Sequence, residues 1–118
     1  MNVIVAGGRD FTDSNKMLNV IMDMIDRNEL PSEPTLICGM AQGADITAYF
    51  LFKGANCDVI EMPADWNTYG KSAGYRRNVE MSKLADKAIC FWDGKSRGTK
   101  HMVDIMKAAN KPVHVINY

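Results

Sequence analysis

Five short runs of β-branched and apolar residues, separated by four stretches of helical period, leave few architectures open to a chain of 118 residues. Val3–Ala6, Thr35–Cys38, Asp58–Met62, Ala88–Trp92 and Pro112–Asn117 read as strands. Residues 13–28 set Met17, Leu18, Ile21, Met22 and Ile25 at helical spacing behind Asp13, a residue type suited to capping a helix start. A second helix runs from near Gly43 through Phe52 to a stop at Gly54 and Asn56. A third starts at about Ala73, and a fourth spans Thr99 to Asn110. Residues 64–72 show no period and are expected to form a long loop. Parallel neighbours need a long crossover, so strands alternating with helices predict βαβ units. The first, second and fourth runs are almost continuously apolar, as when helices cover both faces of a sheet. With right-handed crossovers the expected fold is α/β: a Rossmann-like, doubly wound three-layer sandwich around a mainly parallel five-stranded sheet. One domain, 1–118, accounts for the whole length.

In such a sheet the strand-to-helix turns share one edge, and here each turn carries glycine, proline or a lone charge. Gly7, Gly8, Arg9 and Asp10 follow the first strand. Gly39, Ala41, Gly43 and Asp45 follow the second, Pro63 and Trp66 the third, and Gly98 and Thr99 the fourth. Glycine lets backbone N–H groups approach a phosphate, and a helix start favours negative charge. Gly39–Ala44 and Gly94–Thr99 are the best cradles, with Arg97 and Lys100 adding charge and Thr99 donating a hydroxyl or capping its helix. Between Asp65 and Asn78 lie two aromatic rings for stacking on a base, Trp66 and Tyr69, and two arginines for a phosphate, Arg76 and Arg77. Asn78 belongs to the same cluster.

Several familiar chemistries lack their residues. Gly70-Lys71-Ser72 and Gly94-Lys95-Ser96 are similar to the end of a P-loop, but Asp65 and Ile89 stand where its first glycine belongs. No GxGxxG follows a strand, and no nucleophile elbow precedes either histidine. Three cysteines without CxxC spacing, Cys38, Cys57 and Cys90, fit neither a disulfide framework nor a zinc site; they read as buried small hydrophobes in a reducing compartment. No metal and no cofactor is expected. Fourteen basic and fourteen acidic side chains give zero net charge, which argues against a long nucleic-acid partner. The chain opens on its first strand without a signal peptide's features, and no apolar run reaches the ~20 residues of a membrane span. A cytoplasmic protein with no membrane partner is expected.

Taken together, Ile4–Phe11, Cys38–Asp45, Pro63–Trp66, Ala73–Met81 and Gly98-Thr99 resemble, in matching order, the YspA-like (DUF2493) branch of the SLOG superfamily. The resemblance implies a Rossmann-like fold, a nucleotide or nucleotide-derived ligand, and a homo-oligomer; small standalone versions occur in bacteriophages. The superfamily includes the LOG phosphoribohydrolases, which cleave the N-glycosidic bond of nucleoside monophosphates, and the DNA-processing protein DprA. Arg77-Asn78-Val79-Glu80-Met81 is similar to the first LOG motif in its arginine and methionine. The second is matched at Gly98 and Thr99, but Met102 stands where the family has its catalytic glutamate. Cleavage through a cationic sugar wants a carboxylate nearby, which methionine cannot supply. The expectation is therefore a sensor or sequestering module that binds without turnover. The alternative is a phosphoribohydrolase using Asp10 or Asp45 with Arg77 as catalytic residues, and a DprA-like role in DNA processing stands third.

Overall fold

The computed structural model describes residues 1–118. Five strands, β1 (Asn2–Gly7), β2 (Thr35–Cys38), β3 (Val59–Glu61), β4 (Lys87–Trp92) and β5 (Val113–Asn117), form one sheet in the order β3-β2-β1-β4-β5. Every pairing is parallel. The longest registers are five pairs each, Val3–Gly7 of β1 against Lys87–Phe91 of β4 and Ala88–Trp92 of β4 against Val113–Asn117 of β5. The four crossovers between parallel strands are carried by helices, α1 (Ser14–Asp26), α2 (Ala44–Gly54), α3 (Trp66–Tyr69), α4 (Ala73–Leu84) and α5 (Arg97–Ala108).

Alternate residues of β1 feed two separate cores. Val3 and Val5 face α1 and α2, joining Met17, Ile21, Met24, Ala48 and Phe52. Ile4 faces α4 and α5, joining Met81, Met102, Val103 and Met106. Both sides of β1 are therefore sealed from water, which is why the run is apolar at every position. The structure is the expected Rossmann-like, doubly wound three-layer sandwich, and its sheet is entirely parallel. No helix is long and apolar enough to cross a membrane.

Local sequence explains most boundaries. The Asp13 carboxylate accepts from the Lys16 N–H at 3.0 Å and starts α1, whose Met17 and Ile21 are buried while Leu18 and Met22 face solvent. Asn28, Asn56 and Asn110, each just past a helix, take left-handed backbone, a conformation asparagine tolerates better than most residues. Two expectations need correction. Residues 64–72 are not a loop throughout: Asp65 caps the single turn α3 by accepting from the Thr68 N–H at 3.1 Å, and a 3₁₀ turn at Gly70–Ser72 leads straight into α4. One turn is too short to display a period. The start of α5 also moves, because Ser96 rather than Thr99 is its cap. Asp93 supports that turn, accepting from the Lys95 and Ser96 N–H groups at 2.8 Å each. Those bonds, Ser96 first, hold its carboxyl below the usual range.

Cys38 and Cys90 are fully buried in β2 and β4, and burial pushes their thiols up to about 11 and about 12. Neither is a thiolate at neutral pH. Cys57, in the turn after α2, is half-buried, not buried as expected. Phe91 stacks on Phe11 with ring centroids 4.5 Å apart and shows no exposure. Phe91→Ala should therefore cost about 3–5 kcal/mol in denaturant unfolding; a loss under about 1 kcal/mol would mean that the centre of the sheet does not carry the fold.

Candidate functional site

The strand order reverses between β1 and β4, since the chain leaves β1 toward β2 on one side and leaves β4 toward β5 on the other. Loops diverging from that point leave a crevice at the carboxyl ends of the strands, where open α/β sheets bind ligands. Here the crevice is a cavity of about 570 Å³. Its walls come from the end of β1, the β2–α2 loop, the β3–α3 loop, α4 and the start of α5.

The β2–α2 loop is shaped by close approach. A Cβ on Gly39 would lie 2.7 Å from both Arg77 Nη1 and Asp45 Oδ2, so only glycine lets these two side chains meet over the backbone. Met40 takes φ 58°, a left-handed conformation costly for a side chain of that size, and it lines the cavity. Gly43 has φ 91°, and its Cα faces the Gly8 and Arg9 backbone too closely for any Cβ. The Gly8 carbonyl accepts from both Phe11 and Ala44, at 3.2 Å each, which ties the β1 loop to the start of α2.

The opposite wall is α4. Arg77 Nη1 donates to the Gly39 carbonyl at 2.6 Å, and its Nε donates to Asn78 Oδ1 at 3.1 Å. Asn78 in turn donates to the Gly98 carbonyl at 3.2 Å and lies 3.3 Å from His101 Nδ1. Burial holds the His101 imidazole below its ordinary range, so it faces Asn78 neutral at pH 7. The guanidinium is thus held in place before any ligand arrives, which lowers the ordering cost of binding. Trp66 is half-exposed and its ring packs over Gly74, 3.4 Å from where a Cβ would sit. Tyr75 stands edge-on to His101. Two aromatic rings therefore border the opening.

Charge is uneven across the molecule. Four ion pairs exist, formed by Arg27 with Asp23 and Glu29, by Lys83 with Glu80, and by Lys100 with Asp104. None touches the cavity. Arg9, Lys71 and Arg77 all line it and none has a carboxylate partner. Asp45 is the one acidic residue of the wall, 6% exposed. It accepts from the Ala41 N–H at 3.3 Å. Burial pushes its carboxyl up to about 6, against the opposing pull of the Arg77 guanidinium and the Ala41 N–H.

Of the residues singled out from sequence, Gly7, Arg9, Gly39, Ala41, Asp45, Pro63, Trp66, Arg77, Asn78, Gly98 and Thr99 converge on this cavity. Gly8, Asp10, Gly43 and Arg76 do not line it. Asp10 accepts from the Tyr118 hydroxyl at 2.5 Å, and Gly8 lies beneath that hydroxyl. Gly43 serves by its backbone. Arg76 turns outward onto Tyr69, 4.5 Å from the ring centroid, and bonds Ser72. Tyr69 likewise borders a separate shallow groove rather than the cavity. Arg97 is off the wall, and Lys100 is engaged by Asp104. Met40 and Gln42 of the Gly39–Ala44 cradle and Ser96 of the Gly94–Thr99 cradle also line it, whereas Lys71 and Tyr75 are wall residues that were not singled out. Tyr75 could have been, since it lies one helical turn before Asn78. Met102 is 1% exposed and packs with Ile4 and Met81 at the cavity floor.

Fold and cavity together define a Rossmann-like domain with a switch-point crevice lined by three cations that lack carboxylate partners. The Gene 61 protein of Mycobacterium phage D29 is 32% identical to it over 117 residues, spanning 94% of this chain and 92% of that protein. The chain belongs to the family of that phage protein. No family model matches it, and no solved structure matches it.

Asp45 gives the site a pH signature. Its carboxyl stays protonated up to about 6 in the folded chain and only to about 3.9 when unfolded. The folded state therefore gains stability as pH falls through that window, and above it carries the full cost of a buried charge. Asp45→Asn should exceed the native protein in stability at pH 8 by up to about 3 kcal/mol. The gap should close between pH 6 and 4. Denaturant titrations at several pH values check this, and a difference independent of pH would sink it.

Proposed function

We propose that this protein binds a nucleotide or nucleotide-derived ligand in the switch-point cavity and holds it without turnover, as a sensor or sequestering module. The observation that carries the reading is the pairing of three cations lacking carboxylate partners, Arg9, Lys71 and Arg77, with the rings of Trp66 and Tyr75 around a single cavity. Phosphate wants the first group and a base wants the second. Arg77 spends two of its N–H donors on Gly39 and Asn78, leaving about three of a guanidinium's five for a ligand. A cavity of about 570 Å³ falls within the ~300–1,000 Å³ of small-molecule sites.

The proposal extends to membership in the YspA-like branch of the SLOG superfamily, which rests on the motif resemblance, to a cytoplasmic setting, and to a small-molecule rather than a nucleic-acid partner. Binding without cleavage is favoured by Met102, an apolar floor residue where the resembling hydrolases have glutamate. Hydrolysis of an N-glycosidic bond is the second reading, and Asp45 favours it as a carboxylate already in the cavity wall.

A thermal-shift screen against nucleoside mono-, di- and triphosphates, ADP-ribose and NAD tests the proposal, with each mixture assayed for free base. A ligand at ~100 times its Kd should stabilise the fold by about 2.7 kcal/mol. Intact ligand supports binding, and released base supports hydrolysis. Arg77→Ala should weaken the hit by about 10–100-fold, as expected for losing a charged hydrogen bond of ~1.5–3 kcal/mol. No shift with any of these compounds, or full affinity in the variant, would remove the reading.

A further inference from the structure

Asp45 is the one group in the cavity wall that a phosphate would not welcome. Its carboxylate is 6% exposed, yet it receives a single hydrogen bond, from the Ala41 N–H at 3.3 Å, and joins no ion pair. Carboxylates so buried normally gather several donors, because leaving their lone pairs unmatched is costly. The protein supplies no further donor, and the side chain borders open cavity. A ligand that completes this group must bring hydrogen-bond donors of its own.

Position narrows what those donors are. Asp45 Oδ2 and Arg77 Nη1 each lie 2.7 Å from where a Gly39 Cβ would sit, with no ion pair between them. An anion held by Arg77 therefore has the carboxylate as its near neighbour. In a nucleoside 5′-phosphate the donors closest to the phosphate are the ribose hydroxyls, while the amino and imino groups of the base lie farther off. The rings available to a base, Trp66 and Tyr75, belong to α3 and α4, whereas Asp45 belongs to the first turn of α2.

Resting on the nucleotide reading above, we infer that Asp45 is the specificity-determining residue for the sugar: its carboxylate accepts from the 2′- and 3′-hydroxyls together, so the site prefers ribonucleotides over 2′-deoxyribonucleotides, which supply only one of the two donors. A site built to hydrogen-bond a hydroxyl discriminates strongly against the analogue lacking it, since the buried partner is then left unmatched. The raised carboxyl adds a second signature, because a hydroxyl donating to the ionised form pulls its titration back down. The other charged groups of the same wall are Arg77 from α4, Arg9 from the β1 loop and Lys71 from the turn before α4.

The experiment compares Kd for AMP, GMP, CMP and UMP with Kd for their 2′-deoxy counterparts, in the native protein, in Asp45→Asn and in Asp45→Ala, each first shown to unfold cooperatively. The native protein should prefer the ribo form of whichever base binds by at least tenfold. Both variants should lose most of that preference, read as the ratio of ribo to deoxy Kd within each variant, whatever the change in overall affinity from removing a charge beside the phosphate. Equal native affinity for ribo and deoxy forms overturns the inference and leaves the nucleotide reading standing. A preference that survives in both variants assigns it to another residue and also overturns it. Failure of all eight mononucleotides to bind overturns the inference, while the parent reading is decided by the wider screen of di- and triphosphates, ADP-ribose and NAD.

Discussion

The pairing of β1 with β4 is the constraint on which everything else depends. Both strands lack a solvent face, so both must be covered on two sides, and a chain of this length can do so only with helices carried on the crossovers. Covering both sides in turn requires the winding to change direction between these two strands. Once it does, the loops after β1 and β4 are forced apart, and the crevice exists before any functional side chain is chosen. The cavity is therefore a consequence of topology, and the residues around it decide what it can hold.

What they do is compress two opposite charges around one glycine. Gly39 lets Arg77 reach across from α4 to the end of β2 and lets Asp45 fold back from the start of α2. The arginine is held by two hydrogen bonds within the protein, whereas the aspartate is nearly unsupported. The left-handed backbone of Met40 lies in the same loop. Strain and an undersupplied buried carboxylate both lower stability, and their concentration in one loop marks that loop as selected for something other than folding.

Much of this was legible in the sequence because it follows from period and punctuation. The strands at Val3–Ala6 and Ala88–Trp92 announce themselves as unbroken apolar runs, and Gly39, Gly43 and Gly98 fall at turns that must share an edge. The cavity wall was read less completely for physical reasons. Asp10 and Arg76 are the right residue types in the right segments, yet Tyr118 claims the first and the ring of Tyr69 draws the second outward. Tyr118 is more than a hundred residues from Asp10 in the chain, and no local pattern connects them. Lys71 and Tyr75 were obscured because the helical turn at Trp66–Tyr69 is shorter than any period can reveal. The start of α4 at Ala73 was read from the sequence, but which of its sides faces the cavity was not.

Zero net charge describes the chain but not its surface. The paired charges sit on exposed helical faces, where neighbours three or four residues apart cancel each other and contribute little. Arg9, Lys71 and Arg77 come from three separate segments, and only the fold brings them to one wall. At physiological ionic strength the screening length is about 8 Å, so the distant acidic residues that balance the count do little to offset the field inside the crevice. Low-dielectric walls strengthen that field further. A neutral composition weakens the case for binding long nucleic acid, whose affinity grows with the number of phosphates contacted. It says nothing against one phosphate-bearing small molecule, for which three converging cations and a single opposing carboxylate are the relevant charge count.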